Sequence, residues 1–492
     1  MLLRKVAKIS SCVGLVALGA LAVNWNTTPA APAHGVSPQI LIGPQAVPMA
    51  AGSPAYGLFQ CNVGLFEPDE ACYDPYQMRH AYGVDNLISA GYDGTGQTIV
   101  IIDAFRYAAL TTQVDYFSNF YGLPPSSAFL TQYTPDGVPP QNSGWAGEIT
   151  LDVEWAHAIA PGAKVALVLA KSSSDNDILS AIQYAVDNNL GDVISMSFGE
   201  NEGCLDPATV TAWHNVFAQA TQKGMTLFAS SGDQGASQQT CDGNSWTLAP
   251  SHPASDPLVS GVGGTELHAA HYCLASLGCN PATSPAAGTY SDEIAWNELL
   301  CADAACDLVE SESTGGGFSV VFDAPPFQKS QVKKTKGRAV PDVAYNAAIY
   351  HGVLTRFQGQ WNLFGGTSAG SPQWAAITAI ADQVAGHRLG YLNKAFYQIG
   401  QTPPNYAPSF HDITSGNNSV LEVDASNTDV EVDGYAAGLG WDATTGLGSP
   451  KVDGIVGRLI ALTSPGDGVS AIATSQPHGN GKKGFAGTKQ AH

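Results

Sequence analysis

Short apolar runs, each followed by a helical stretch, constrain this fold more than any other feature of the chain. They are Thr98 to Asp103, Val165 to Ala170, Asp192 to Phe198, Thr226 to Ser231 and Leu258 to Val262. Runs dominated by Val, Ile and Leu read as strands buried on both faces. When helices separate such strands, the sheet is parallel and covered on both sides. The expected fold class is α/β: a doubly wound, mostly parallel sheet with helices on both faces. Sites in these sheets gather at the carboxyl ends of the strands. Asp103, Ser197 and Asp233 all stand at that edge.

Composition agrees and removes some functions. Only 13% of the 492 residues are charged, and Gly numbers 54, which suits close-packed parallel α/β structure. The formal charge of -21 leaves no surplus of Lys and Arg to neutralise phosphates, so nucleic acid is excluded as a partner. An acidic chain loses self-repulsion as its carboxylates take up protons, which is compatible with work in acid.

The ends read as processing and linker segments. Residues 1–22 carry Arg4, Lys5 and Lys8, an apolar stretch from Val13 to Leu21 and a small-x-small Ala20-Leu21-Ala22. They are expected to be a signal peptide, so the chain is exported, to the periplasm or the medium, and has no membrane contact after its removal. The rival reading, an uncleaved anchor, needs the ~20 apolar residues of a span, and this run is shorter. Residues 24–54 are rich in Ala, Pro, Gly and Thr and read as flexible leader within a short N-terminal segment, 23–73. The catalytic unit is expected over 74–463, and 464–492 as a disordered tail. The eight cysteines after Cys12 fall into pairs: Cys61 with Cys72, Cys273 with Cys279, Cys301 with Cys306, and Cys204 with Cys241. An even count in an exported chain reads as disulfides. Zinc is disfavoured because no CxxC pair is present.

Three segments carry candidate chemistry. In Gly365-Gly366-Thr367-Ser368-Ala369-Gly370-Ser371-Pro372, a Ser sits where a strand end turns into a helix. That position suits a nucleophile, but equally a helix N-cap. In GEITLDVEWAHAIAPGAKV, Glu148 and Asp152 are four apart on one helix face among apolar residues, so they can share a proton. The competing reading is a solvated acidic face. In Ser230-Ser231-Gly232-Asp233, a strand-end Asp could, when protonated, donate to an oxyanion. Alone, this is an ordinary loop.

Taken together and in order, these pieces resemble the sedolisin family of serine-carboxyl peptidases, in motif the kumamolisin type. The matched segments are GExxLDxExAxxxAPGAK at 147–164, SxSFG at 195–199, SSGDxG at 230–235, VPDVA at 340–344, GGTSAxxP at 365–372, HDIT at 411–414 and GLGWDxxTGLGSP at 438–450. The resemblance implies a subtilisin-like fold with Ser368 as nucleophile and Glu148 as general base and acid. It implies Asp152 as the group behind Glu148, and Asp233 as oxyanion donor. It implies one structural calcium ion on the side chains of Asp412 and Asp442 and the carbonyls of Ile413, Gly438 and Gly440. It also implies that substrate backbone pairs with Ser197, Phe198 and Gly199 and with the glycine segment containing Gly316 and Gly317. Two positions depart from the pattern: Asp103 stands where Glu is usual, and Phe198 where Trp is usual. The family's large prodomain has no counterpart in the short 23–73 segment. A neutral Ser-His-Asp hydrolase lacks a suitable His motif here, and His157 is expected to face away from Glu148. The expectation is a monomeric, secreted, acid-acting endopeptidase that cleaves peptides or denatured proteins through an acyl-enzyme on Ser368. The alternative is an exported peptide-binding scaffold of the same fold with weak or no catalysis.

Overall fold

The computed structural model describes residues 35–48, 59–60, 71–272, 282–301, 309–332 and 336–463. The expected signal peptide and tail lie outside these residues. So do the pairing of Cys273 with Cys279, that of Cys301 with Cys306, and the partner of the disulfide-bonded Cys72. Cys204 and Cys241, expected to pair as the two left over from the close pairs, are bonded.

The elements that position the site, in chain order, begin with strands β1 (Ser37–Pro38), β2 (Leu41–Pro48) and β3 (Thr98–Ala104). Next come β4 (Leu130–Tyr133), helix α1 (Ser143–Ile159), β5 (Lys164–Ala170), helix α2 (Asp175–Asp187), β6 (Val193–Met196) and β7 (Phe198–Asn201). Helix α3 (Pro207–Gln222), β8 (Thr226–Ser230), β9 (Ser260–Ala269) and β10 (Tyr290–Ala295) follow. The series ends with β11 (Val343–Asn346), β12 (His351–Phe357), β13 (Gln360–Gly365) and helix α4 (Gly370–Ala385). The central sheet runs β10-β9-β8-β6-β3-β5-β4, with β11 also against β9. Every pairing in it is parallel except that of β10 with β9. Helices α1 and α4 pack on each other against the sheet, as do α2 and α3. The expected doubly wound class is what the chain adopts.

The apolar runs explain the sheet. Ile99, Val100, Ile101 and Ile102 of β3 are fully buried, opposite Val165 to Val168 of β5. Each such side chain contributes about 1.5–3 kcal/mol when removed from water. Helix α1 starts where the Asn142 side chain accepts the backbone N–H groups of Gly144 and Trp145. From Trp145 to Ile159 it is buried on all sides, taking Glu148, Asp152, Glu154 and His157 inside with it. Burying so many ionisable groups is costly unless each is paired or neutral.

The N-terminal boundary differs from expectation. Residues 37–48, expected to be flexible, form paired strands. β1 runs antiparallel to β7, with Ser37 opposite Gly199 and Pro38 opposite Phe198. β2 runs antiparallel to β13, with Leu41 opposite Gly365 and Ile42 opposite Phe364. Residues 71–73 likewise join β12, so the folded unit does not begin at Asp74. Composition missed this because main-chain pairing to an existing edge needs no side-chain periodicity. Among the described residues, no helix is long and apolar enough to cross a membrane.

Candidate active site

Ser368 lies in a tight turn, Thr367–Ala369, between β13 and α4. The turn needs Gly366, whose φ is +95° and whose missing Cβ would stand 2.5 Å from both Asp233 Oδ2 and the Gln39 carbonyl oxygen. Ser368 does not cap the helix, since no side chain caps the start of α4. Its hydroxyl donates instead to Glu148 Oε2, at 2.9 Å, and lies 3.2 Å from the Ser197 carbonyl oxygen. Of the two readings left open by the sequence, capping is removed, and the hydroxyl is turned to a carboxyl instead.

Behind Glu148 stands a row of acids. Glu148 and Asp152 are within hydrogen-bond reach of each other. Glu148 Oε1 and Asp152 Oδ2 are buried without a hydrogen-bond partner, a lack that one proton shared by the pair would meet. The Ser197 hydroxyl donates to Asp152 Oδ1 at 2.9 Å. Asp103, at the end of β3, is fully buried and neither of its oxygens is hydrogen-bonded. Burial, then the charges of Asp152 and Asp103, holds the Glu148 carboxyl well above the usual range. Burial lifts Asp152 to about 8, opposed by its bonds from Ser197 and Glu148. Asp103 is pushed well up by burial and by Asp152. Like charges in a low-dielectric site cannot all ionise, so the row retains protons far above ordinary carboxyl pKa values.

Asp233 follows β8. Its Oδ1 accepts from the Thr367 backbone N–H and hydroxyl, both at 2.8 Å, while Oδ2 is buried without a partner. Burial lifts this carboxyl to about 7. Below that pH it is protonated, with a hydrogen available to Oδ2.

The cleft holds part of the chain itself. Gln39 N–H donates to the Ser197 carbonyl at 3.2 Å, and the Gln39 carbonyl accepts from Ser368 N–H at 3.0 Å. The Gln39 side-chain oxygen accepts from Asp233 N–H at 3.0 Å. The Gln39–Ile40 peptide therefore sits over the nucleophile, with its carbonyl oxygen on the serine N–H and beside the open Asp233 oxygen. Neither Gln39 nor Thr367 was singled out in the sequence. For Thr367 the signal was there, one residue before the serine; for Gln39 there was none.

Of the expected substrate positions, Ser197, Phe198 and Gly199 bind this strand. Gly316 and Gly317 do not. Gly317 pairs with Val340, and a Cβ on Gly316 would lie 2.1 Å from the Ala443 carbonyl. The preceding residues are bound to the Asp233 loop, through Ser313 N–H to Asp233 O and Gly315 N–H to Gly232 O, both at 2.7 Å. The glycines allow this close packing behind the loop. The Phe198 ring packs near Trp145, at 6.1 Å, and donates nothing to the acid row. His157 stacks on Phe129 at 3.6 Å, with Nε2 3.0 Å from the Pro124 carbonyl, and so faces away from Glu148 as expected.

The side chains of two expected calcium ligands, Asp412 and Asp442, both meet the 438–442 loop. Gly440 N–H donates to Asp412 Oδ1 at 3.0 Å and Gly438 N–H to Asp442 Oδ2 at 2.9 Å. No hydrogen bond from a described residue falls on the Ile413, Gly438 or Gly440 carbonyls. Two carboxylates and three unengaged carbonyls form an all-oxygen donor set that suits calcium.

A serine backed by buried carboxyls, at the carboxyl edge of a doubly wound sheet, defines a subtilisin-like architecture in which acids stand where a histidine would. The chain belongs to the subtilase family, whose profile matches residues 142–392. It is 34% identical over 409 residues to kumamolisin of Bacillus sp. (strain MN-32), covering 80% of this chain and 65% of that protein. It is 32% identical over 313 residues to sedolisin of Pseudomonas sp. (strain 101), covering 62% and 47%. The structure of Pseudomonas sedolisin, a serine-carboxyl proteinase complexed with two molecules of pseudo-iodotyrostatin, matches with TM-score 0.65 at 27% identity, over 80% of this chain and 99% of that one. These likenesses bear out the sedolisin resemblance read from the motifs. The chain spans 65% or less of the length of these two curated relatives.

Proposed function

We propose that this protein is an exported, acid-acting serine-carboxyl endopeptidase that works through an acyl-enzyme on Ser368. The observation that carries the reading is the 2.9 Å contact from Ser368 Oγ to Glu148, with the Gln39–Ile40 peptide held over the serine. Ser368 Oγ attacks a peptide carbonyl carbon as Glu148 takes its proton. The oxyanion forms between Ser368 N–H and protonated Asp233. Glu148 then passes the proton to the departing amine, leaving an ester on Ser368, and a water molecule repeats the sequence to release the acid. Asp152 shares the proton of Glu148 and keeps it in place.

Two features support the finer parts of this reading. Chain pairs with the cleft on both sides of Gln39–Ile40, through β1 and β2, which favours cleavage within a chain over removal of its end. Asp233 must be protonated to donate, and its lifted pKa gives that state to acid solution. A structural calcium ion on Asp412, Asp442, Ile413, Gly438 and Gly440 would tie the C-terminal loops together. The deciding experiment is cleavage of denatured protein against pH, with Ser368→Ala and Glu148→Gln beside the parent. Cleavage in acid should vanish in Ser368→Ala and fall about 10²–10⁴-fold in Glu148→Gln. Activity surviving in Ser368→Ala would end the proposal.

A further inference from the structure

Glu266 and His268 occupy alternate positions of β9, so their side chains share one face of the strand. His351 opens β12 beside them. Glu266 Oε1 lies 3.2 Å from His268 Nε2 and 3.1 Å from His351 Nδ1. One donor atom from each residue falls within 4.8 Å of the other two. Ligands about 2.0–2.1 Å from a tetrahedral zinc ion stand about 3.3–3.4 Å apart, close to both of these separations.

The polar groups of the cluster leave a place for a cation between them. Asp292 lies directly across from His268 on β10, and its Oδ1 is 2.7 Å from His268 Nδ1. A proton on Nδ1 for that bond leaves Nε2 to meet the Glu266 carboxylate either with a second proton, as a hydrogen bond, or with a lone pair. Lone pair against carboxylate is repulsive unless a proton or a metal ion lies between. A carboxylate behind a histidine is also the arrangement that orients metal ligands. His351 makes the same point independently. It is 7% exposed, and its Nδ1, although near Glu266, forms no aligned hydrogen bond with any group. It is a buried nitrogen aimed into the cluster. The other charges felt here are acidic: Asp292 and Glu293 act with Glu266 on the neighbouring Tyr73, and Glu266 acts on Glu298. The Tyr73 ring stacks between His351 and His271. His268 is 34% exposed, which gives solvent a route to the cluster.

We infer that Glu266, His268 and His351 bind a divalent cation of the zinc class, with Asp292 orienting His268 and water completing the coordination. Nitrogen ligands separate this site from the all-oxygen set around Asp412 and Asp442. Protons compete for both histidines, so the ion binds near neutrality and leaves in acid.

The test is calorimetric titration of ZnCl₂ into the full chain carrying Ser368→Ala, freed of metals and then supplied with calcium. One saturable equivalent is expected at pH 7 and none at pH 4.5. His268→Gln and His351→Gln should each weaken binding at least tenfold, and Asp292→Asn about 10–100-fold. Titration with Co²⁺ needs no substitution in the cluster and should give visible bands of a tetrahedral nitrogen–oxygen site. Absence of saturable zinc binding at pH 7 overturns the inference. So do absence of the cobalt bands and zinc affinity unchanged by both histidine substitutions.

Discussion

In the proposed mechanism Asp233 controls the alkaline side of the reaction, because only its protonated form donates to an oxyanion. Its carboxyl is raised to about 7, so activity should fall as pH rises through that region and the donor becomes an acceptor. Asp233→Asn keeps a donor at every pH and can still accept from Thr367. Its pH profile should lose the limb near 7 while retaining activity in acid. Asp233→Ala has no donor and should lose about 10²–10³ in kcat. If the limb is identical in Asp233→Asn, another group sets it. At this scale the meeting of Ser368, Glu148, Asp152 and Asp233 was foreshadowed, since they sit in three motifs that the family order joins. Thr367 and the Ser197 hydroxyl were not. Their roles depend on which acid oxygen each meets, and that is set by distant parts of the chain.

Strands β1 and β2 lie on the cleft, and in the proposed mechanism Gln39–Ile40 is the bond set before Ser368. The serine N–H already holds the Gln39 carbonyl, so the reacting groups need little further ordering. On acid incubation the chain should therefore cut itself between Gln39 and Ile40, giving a new N-terminus at Ile40. N-terminal sequencing after transfer from pH 7.5 to pH 4 measures this, with Ser368→Ala as the control that stays whole. A cut at the same place in Ser368→Ala would mean that another peptidase made it. Helix α1 was legible because Glu148 and Asp152 stand four apart in an apolar segment. Strands β1 and β2 were not, because a Pro- and Gly-containing stretch such as SPQILIGP carries no period and pairs through its backbone. The surroundings of Gly316 and Gly317 were not legible for a related reason: glycines permit close approach, but the sequence does not say to what.

The whole molecule carries a large reserve of buried, protonated carboxyls, and this fixes how its stability varies with pH. Asp152 is raised to about 8, Asp233 to about 7 and Glu298 to about 7, in each case chiefly by burial. An unfolded carboxyl titrates near 4, so above that pH the folded state binds more protons than the unfolded one. Stability is then fully present below about pH 4 and is lost as pH rises through the folded values near 7 and 8. The melting temperature should be higher at pH 4.5 than at pH 8, contrary to the pattern of a protein held by ionised carboxylates. The formal charge of -21 adds repulsion in the same direction. Asp103 provides a local check, because it is buried, raised well above its usual range and makes no hydrogen bond that an amide would break. In a Ser368→Ala background, Asp103→Asn should leave the melting temperature nearly unchanged at pH 4.5 and raise it at pH 8, since the amide has no proton to lose. A melting temperature that is equal or higher at pH 8 in the parent, or an Asp103→Asn chain destabilised only at pH 8, would show that the acid row is ionised in the folded protein and that its proton-sharing role is wrong.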